Sequence, residues 1–155
     1  MPVDQYVYFA LKSERTSARE MADFLGFEPD EKTLRGSRGT EPALPVCHSW
    51  KIVCRTSGLR VEEQIAQVVE RLQHHTARIA ELVRQLDQEP EPGNAAVLQV
   101  VRYFEQPAGS DRDTDAEPNL CGWHLDREVL DFLTVTGTVL DVDEYDMTAD
   151  TAPEV

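Results

Sequence analysis

The segment VEEQIAQVVERLQHHTARIAELVRQL, residues 61–86, carries the clearest structural pattern of the chain. Every seventh residue along one side of it is a large aliphatic one: Ile65, Leu72, Ile79 and Leu86. Val68 and Leu82 fall at the complementary positions of the repeat, and this spacing predicts one helix about 40 Å long with an apolar stripe. We expect the stripe to lie across a sheet; pairing with the same helix of a second chain is the alternative.

Strand-like runs on both sides of this helix supply the sheet. Residues 6–11 and 95–104 are almost uniformly apolar, which is typical of interior strands. Residues 48–55 alternate, and the alternation puts Trp50, Ile52 and Cys54 on one face. Two shorter runs predict further strands, the second of which closes the sheet: 120–125 and 139–145. The predicted fold is α+β, with about five strands in a mixed or antiparallel sheet and three helices packed on one face.

Two short helices have recognisable starts and stops. Ser17 and Glu20 have the spacing of a capping box, in which each side chain binds the other residue's free backbone N–H. Gly26 is expected to end that helix in the left-handed conformation. Asp126 is expected to cap a second helix, which runs to about residue 136 and stops at Gly137.

The two helix starts also resemble each other: residues 19–25 and 127–133 are identical at five of seven positions. An internal βα duplication and convergence of two similar helix starts both explain this match, and both stay open.

At 155 residues the chain is about one domain long. We expect a single domain over 1–145 and a disordered polar tail over 146–155. Two loops are predicted: a long one at 28–46 and an acidic, mobile one at 105–119.

The charge balance limits the classes of partner. With 29 acidic and 15 basic residues the net charge is -14, which repels nucleic-acid phosphates and suits a basic protein partner. No apolar run approaches 18 residues and no signal peptide precedes the first strand, so no membrane segment is expected. The odd number of cysteines, three, predicts reduced thiols and a cytoplasmic protein.

The stretch TLRGSRGTEPALPVCHSW, residues 33–50, raises the question of an anion site. Its glycines and two arginines could clamp a phosphate or carboxylate, but phosphate-binding loops lead into a helix, and here prolines and a strand follow. We interpret the stretch first as a connecting loop. The alternative is a ligand-binding or anion-binding pocket at the sheet edge, lined by Arg35, Gly36, Arg38, Trp50 and Trp123.

Two further groups of residues have chemistry to consider. Asp141 and Asp143 project from one face of the last strand, about 7 Å apart, with Tyr145 beyond them. Paired carboxylates can hold magnesium or share a proton, but a solvated acidic face is the simpler interpretation. The residues that could ligate zinc are Cys47, His48, Cys121 and His124, of which only the second pair has a usual spacing. The sequence therefore predicts no metal, no cofactor and no catalytic motif.

Several motifs resemble a bacterial family of about this length, domain of unknown function 4279. They are FLGFEPDEKTLRGSRG, HSW and REVLDFLTVTGTVLDVDEY. The family's helix end, basic–glycine pair, strand tryptophan and closing run match these positions here: Leu25, Gly26, Arg35, Gly36, Trp50 and 140–145. Arg35 stands where the family pattern has lysine, and the loop to Trp50 is long. The resemblance implies an α+β domain without an established activity, and favours Gly36, Trp50 and Tyr145 as positions that the fold reuses.

Two functional hypotheses follow. The first is a non-catalytic acidic binding or regulatory module, of the toxin-neutralising kind, that docks a basic protein. The second is a small-ligand or anion-binding domain, or an enzyme, with a pocket near Arg35, Arg38 and Trp50. A sheet covered on one side leaves apolar and aromatic residues on the other: Tyr6, Tyr8, Val97 and Tyr103. Because exposed apolar area of this kind usually forms an interface, we expect a homodimer.

Overall fold

A computed structural model describes residues 3–90, 94–105 and 121–147. In chain order the elements are β1 (Val3–Ser13), α1 (Ala18–Leu25), β2 (Glu31–Thr33), β3 (Gly39–Thr40), β4 (Ala43–Leu44), β5 (His48–Cys54), α2 (Val61–Leu72), a 3₁₀ turn (Gln73–His75), α3 (Thr76–Leu86), β6 (Ala96–Phe104), α4 (Arg127–Thr136) and β7 (Val139–Asp146). The predicted α+β class is confirmed.

The sheet has five strands in the order β2-β5-β1-β6-β7. β1 is its centre and pairs antiparallel with both β5 and β6, while β7 joins β6 in parallel at one edge. A parallel pair needs a crossover between its strands, and α4 lies in that connection. The predicted interior strands at 6–11 and 95–104 are therefore confirmed, as is the closing strand at 139–145.

The helices pack on one face of this sheet. Every second residue of the central strands points towards them and is fully buried or nearly so: Val7, Phe9 and Leu11 on β1, Trp50 and Ile52 on β5, Leu98 and Val100 on β6. Phe9 lies edge-on to Trp50 and to Phe132 of α4, at centroid distances of 6.4 and 5.9 Å. The core thus joins three strands and the helices through large side chains.

The predicted single helix at 61–86 is wrong in one respect, because the 3₁₀ turn divides it. The stripe itself is buried as expected, with Ile65, Leu72, Ile79 and Leu86 no more than 4% exposed. A straight α-helix rotates a seven-residue repeat by about 20° per heptad. Each residue of a 3₁₀ helix advances about 20° further around the helix axis than a residue of an α-helix. Three such residues therefore offset the rotation that the apolar stripe accumulates over about three heptads. The turn therefore keeps the stripe on the sheet.

Two predictions for the connecting segments need correction. The expected loop at 28–46 contains three short strands, of which β2 pairs with β5 and β3 pairs with β4. The strand expected at 120–125 is absent over residues 121–125, which form neither helix nor strand. Most of the acidic loop at 105–119 lies outside the described residues, as does the tail beyond residue 147.

Candidate functional site

The side of the sheet away from the helices is called the open face here. The strand registers put these side chains on it: Tyr6 and Tyr8 of β1, Gln99, Val101 and Tyr103 of β6, Asp141, Asp143 and Tyr145 of β7, and Lys51 and Arg55 at β5. No helix of the described ranges packs against them, since the buried residues of α1–α4 belong to the cluster on the opposite side.

Tyrosines form the middle of the open face. The rings of Tyr6 and Tyr8 stack with centroids 6.2 Å apart, and those of Tyr103 and Tyr145 with centroids 5.0 Å apart. Tyr145 is 45% exposed, although its ring is held by its neighbour. Stacked, partly exposed tyrosines offer a large contact area with little loss of side-chain entropy, as protein-binding surfaces require.

Charges of opposite sign flank these rings. On the β5 side the Lys51 ammonium lies 4.5 Å from the centroid of the Tyr8 ring, and the Arg55 guanidinium lies 4.3 Å from that of Tyr6. On the β7 side Asp143 accepts a hydrogen bond of 3.1 Å from the Gln99 amide. Three strand spacings separate the two sides, about 14 Å in all. Glu31 of β2 lies beside Lys51 and pairs with Arg55 at 3.1 Å, so the β5 side has two cations and one carboxylate. The open face is therefore bipolar, with its positive side partly neutralised.

Burial shifts the pKa values of three titrating groups on the open face. Burial raises the pKa of the Tyr8 phenol, and the neighbouring Tyr6 and Asp143 raise it further. Burial, followed by Tyr103, also raises the pKa of Tyr6. Both phenols therefore stay protonated at neutral pH. Burial lowers the pKa of Lys51, and the nearby Lys12 and Arg55 act in the same direction.

The open face brings together Asp141, Asp143 and Tyr145, as their spacing indicates. The cations across from them, Lys51 and Arg55, were not predicted from the sequence. The signal was present in the alternation of residues 48–55, which puts Lys51 and Arg55 on the side away from Trp50. The alternation alone does not show that these cations lie across the sheet from Asp141 and Asp143. That placement follows from the strand order, in which β5 and β7 lie on opposite sides of the central pair β1 and β6.

Residues 34–37, in the predicted connecting loop with its two arginines, form a turn beside a separate cavity of about 490 Å³. Gly36 has φ +74° and its neighbour Ser37 donates to the Leu34 carbonyl at 3.1 Å, which is the geometry of a type II turn. The Arg35 backbone N–H donates to Nδ1 of His48 at 3.0 Å. Arg38 lines the cavity together with Arg19 and Lys32. An anion site there remains a prediction.

The structure does not bring the five predicted ligand-binding residues together. Trp50 is fully buried in the core, where its indole N–H donates to the Phe27 carbonyl at 3.2 Å. Trp123 lines a different cavity, with Gln5 and Arg102. The sequence could not separate these roles, because a tryptophan on an alternating strand looks the same whether its face is covered or open.

The candidate zinc ligands fall at opposite ends of the sheet. His48 pairs with Ser13 of β1, whereas Cys121 accepts a hydrogen bond from Arg102, which pairs with Gln5. Ser13 and Gln5 are eight positions apart on one strand, about 26 Å. Among the residues that the structure describes, no three histidine, cysteine, aspartate or glutamate side chains are grouped to hold a metal ion.

Comparison with known protein families gives a match over most of the chain. The model of a family described as "Domain of unknown function (DUF4279)" matches residues 4–147, nearly the whole chain. No curated protein and no solved structure matches. Within the described ranges, none of the helices has the length and apolar character needed to cross a membrane.

Proposed function

The chain belongs to the DUF4279 family, a domain of unknown function, and we propose that it acts as a non-catalytic binding module that docks protein on the open face of its sheet. The observation that supports this most directly is the stack of tyrosines between charges of opposite sign. Tyrosine is among the residues that are enriched at binding hot spots. The proposal places the module in the cytoplasm and excludes nucleic acid, which the net charge of -14 repels.

The charge layout decides which occupant we propose. A basic partner would satisfy Asp141 and Asp143 but would meet Lys51 and Arg55 with like charge. A second copy related by a two-fold axis parallel to the strands sets the cations of each protomer against the carboxylates of the other. A two-fold axis perpendicular to the strands would set like charges together. We therefore propose a face-to-face homodimer with its axis along the strands.

Charge reversal on one side of the open face tests this proposal. The double variant Asp141→Lys/Asp143→Lys should raise the dimer dissociation constant at least about tenfold, because it sets four cationic side chains of each protomer against one another. The measurement is sedimentation velocity at several protein concentrations. The matched control is Asp23→Lys/Glu81→Lys, which makes the same charge change at exposed positions of α1 and α3.

The outcomes separate the two occupants. Dimer loss in the open-face variant alone supports the homodimer. A monomeric wild type whose affinity for a basic protein falls in the same variant, and rises in Lys51→Glu/Arg55→Glu, would replace the second copy by a basic partner. A monomeric wild type with no such partner dependence would overturn the docking role of the face.

A further inference from the structure

A second cavity, here called the end cleft, has a volume of about 520 Å³ and lies where β1 begins. Its walls come from the start of β1, the connection from β5 into α2, the end of β6 and the segment before α4. The residues that matter for its chemistry are Gln5, Arg60, Glu62, Gln64, Arg102 and Trp123. The volume is in the range of small-molecule sites.

Two acceptor oxygens of the end cleft have no donor among the described residues: Oε2 of Glu62 and Oε1 of Gln64. Gln64 is fully buried, and its amide nitrogen donates to the carbonyls of Gln5 and Thr56, both at 3.1 Å. Those two bonds fix the orientation of the amide, since turning it over would lose both. Buried acceptors without a partner are rare in folded proteins, and two in one cavity call for an explanation.

The cations of the end cleft, in contrast, already have carboxylate partners. Arg60 pairs with Oε1 of Glu62 at 2.9 Å, and the buried Arg102 pairs with Glu144 at 3.1 Å. Arg55 pairs with Glu31, also at 3.1 Å. The two unpartnered atoms of the cavity therefore need N–H donors, and one of them belongs to a carboxylate, that of Glu62.

These observations select the ligand chemistry. A protonated amine supplies both the N–H donors and the positive charge that a carboxylate and an amide oxygen require. Trp123 is partly buried at the same cavity, and an indole ring is the best aromatic partner for an ammonium group. An anion would bring further acceptors and would leave the two oxygens of Glu62 and Gln64 without a donor.

We propose that the end cleft binds a small molecule carrying a protonated amine, which donates to Glu62 and Gln64 and lies against Trp123. The two acceptor atoms have little contact with solvent, so entry requires a side chain to move. Arg60 is suited to this, because its side chain is 56% exposed and its guanidinium, which pairs with Oε1 of Glu62, can move aside to let the ammonium reach Oε2. Arg55 borders both this site and the open face, but the three residues proposed to contact the amine are not part of the open face.

The test uses 1,4-diaminobutane, L-lysine and benzylamine as probes, with 1,4-butanediol and benzyl alcohol as matched neutral compounds. Binding is followed by calorimetry and by the two indole N–H resonances in nitrogen–proton correlation spectra, since the chain has only two tryptophans. We expect an amine to shift the Trp123 resonance and leave that of Trp50, which lies in the core, unchanged. The neutral compounds should do neither.

Two variants test whether the amine contacts the Glu62 carboxylate. Glu62→Gln should weaken amine binding at least about tenfold, because it removes a charge-assisted bond. Glu70→Gln, which makes the same change at an exposed position of the same helix, should leave the affinity unchanged. Flat isotherms and a stationary Trp123 resonance for every amine would overturn the proposal and leave ordered water as the partner of the two oxygens. Equal affinity in wild type and Glu62→Gln would overturn it as well.

Discussion

Asp30 is a single side chain that ties the edge of the sheet to a helix. Its two carboxylate oxygens accept from both terminal nitrogens of Arg71 on α2, at 2.6 and 2.7 Å. One of them also accepts from the backbone N–H of Val53 on β5 at 2.8 Å. The hydrogen bonds from Arg71 hold the pKa of Asp30 below its usual 3.8. The ionised carboxylate is therefore the form that the fold stabilises.

Replacing this carboxylate should make stability less dependent on acid pH. Asp30→Asn should lower the free energy of unfolding by about 1 kcal/mol at pH 7, a value kept small by the partial exposure of the pair. Because the native pKa lies below the unfolded one, the contribution is complete above the unfolded pKa and is lost as pH falls through the native pKa. Urea unfolding of both proteins at pH 7 and pH 3 measures the difference.

The control for that comparison is Asp23→Asn, at an exposed position of α1. It should change neither the stability at pH 7 nor the pH dependence. A gap between wild type and Asp30→Asn that is as large at pH 3 as at pH 7 would contradict the electrostatic explanation and point to packing alone.

Individual residues also show where inference from sequence fails. Trp50 and Trp123 were predicted to share a pocket, yet one is in the core and the other lines the end cleft. Gln64 and Arg102 were missed, although each is a polar residue within an apolar pattern. Whether such a residue is merely satisfied or faces a cavity depends on its partners from distant strands, which local sequence does not specify.

At the scale of elements, helix ends were the most predictable features. Ser17 and Glu20 form the expected capping box, and α1 stops at Gly26 with φ +67°. Local chemistry alone decides such positions, because the hydrogen bonds involved span only three or four residues. The broken helix and the short strands of residues 31–44 were not predictable in this way, because tertiary packing sets them.

Gly26, which ends α1, allows a direct test of what a left-handed backbone conformation costs a residue with a side chain. A Cβ at this position would meet no atom within 4 Å, so Gly26→Ala should cost only the strain of a left-handed residue. We expect a loss of about 1 kcal/mol, or about 3 °C in Tm for a domain of this size. Thermal unfolding followed by circular dichroism measures the shift. Gly26→Asn should lose clearly less, and equal losses in the two variants would contradict this explanation.

The same distinction between local and distant information applies to the sheet. Alternation and apolar runs predicted its three central strands, because each pattern is complete within one segment. The order of the strands, and with it the position of Lys51 and Arg55 across from Asp141 and Asp143, came only from pairing between segments far apart in sequence. The open face could therefore be predicted as apolar and acidic but not as bipolar.

For the molecule as a whole, a bipolar face has a consequence that a uniformly acidic surface lacks. A net charge of -14 makes two copies repel each other at long range, so any self-association must come from short-range complementarity. In the proposed dimer the opposite charges of the open face provide that complementarity, and the tyrosine stacks provide the buried area. Added salt should reduce both the repulsion and the attraction between copies.

The measurement that tests the open face most directly is the molar mass, by light scattering, of a mixture of two charge-reversed variants. The acid-reversed variant is Asp141→Lys/Asp143→Lys and the base-reversed variant is Lys51→Glu/Arg55→Glu. In the proposed dimer the four substituted and facing positions of each variant alone carry like charge, whereas the mixture restores opposite charges between them. We predict that each variant alone is monomeric and that the equimolar mixture has the mass of a dimer. A mixture that stays monomeric beside a dimeric wild type, or two variants that each dimerise alone, would contradict the proposed use of this face.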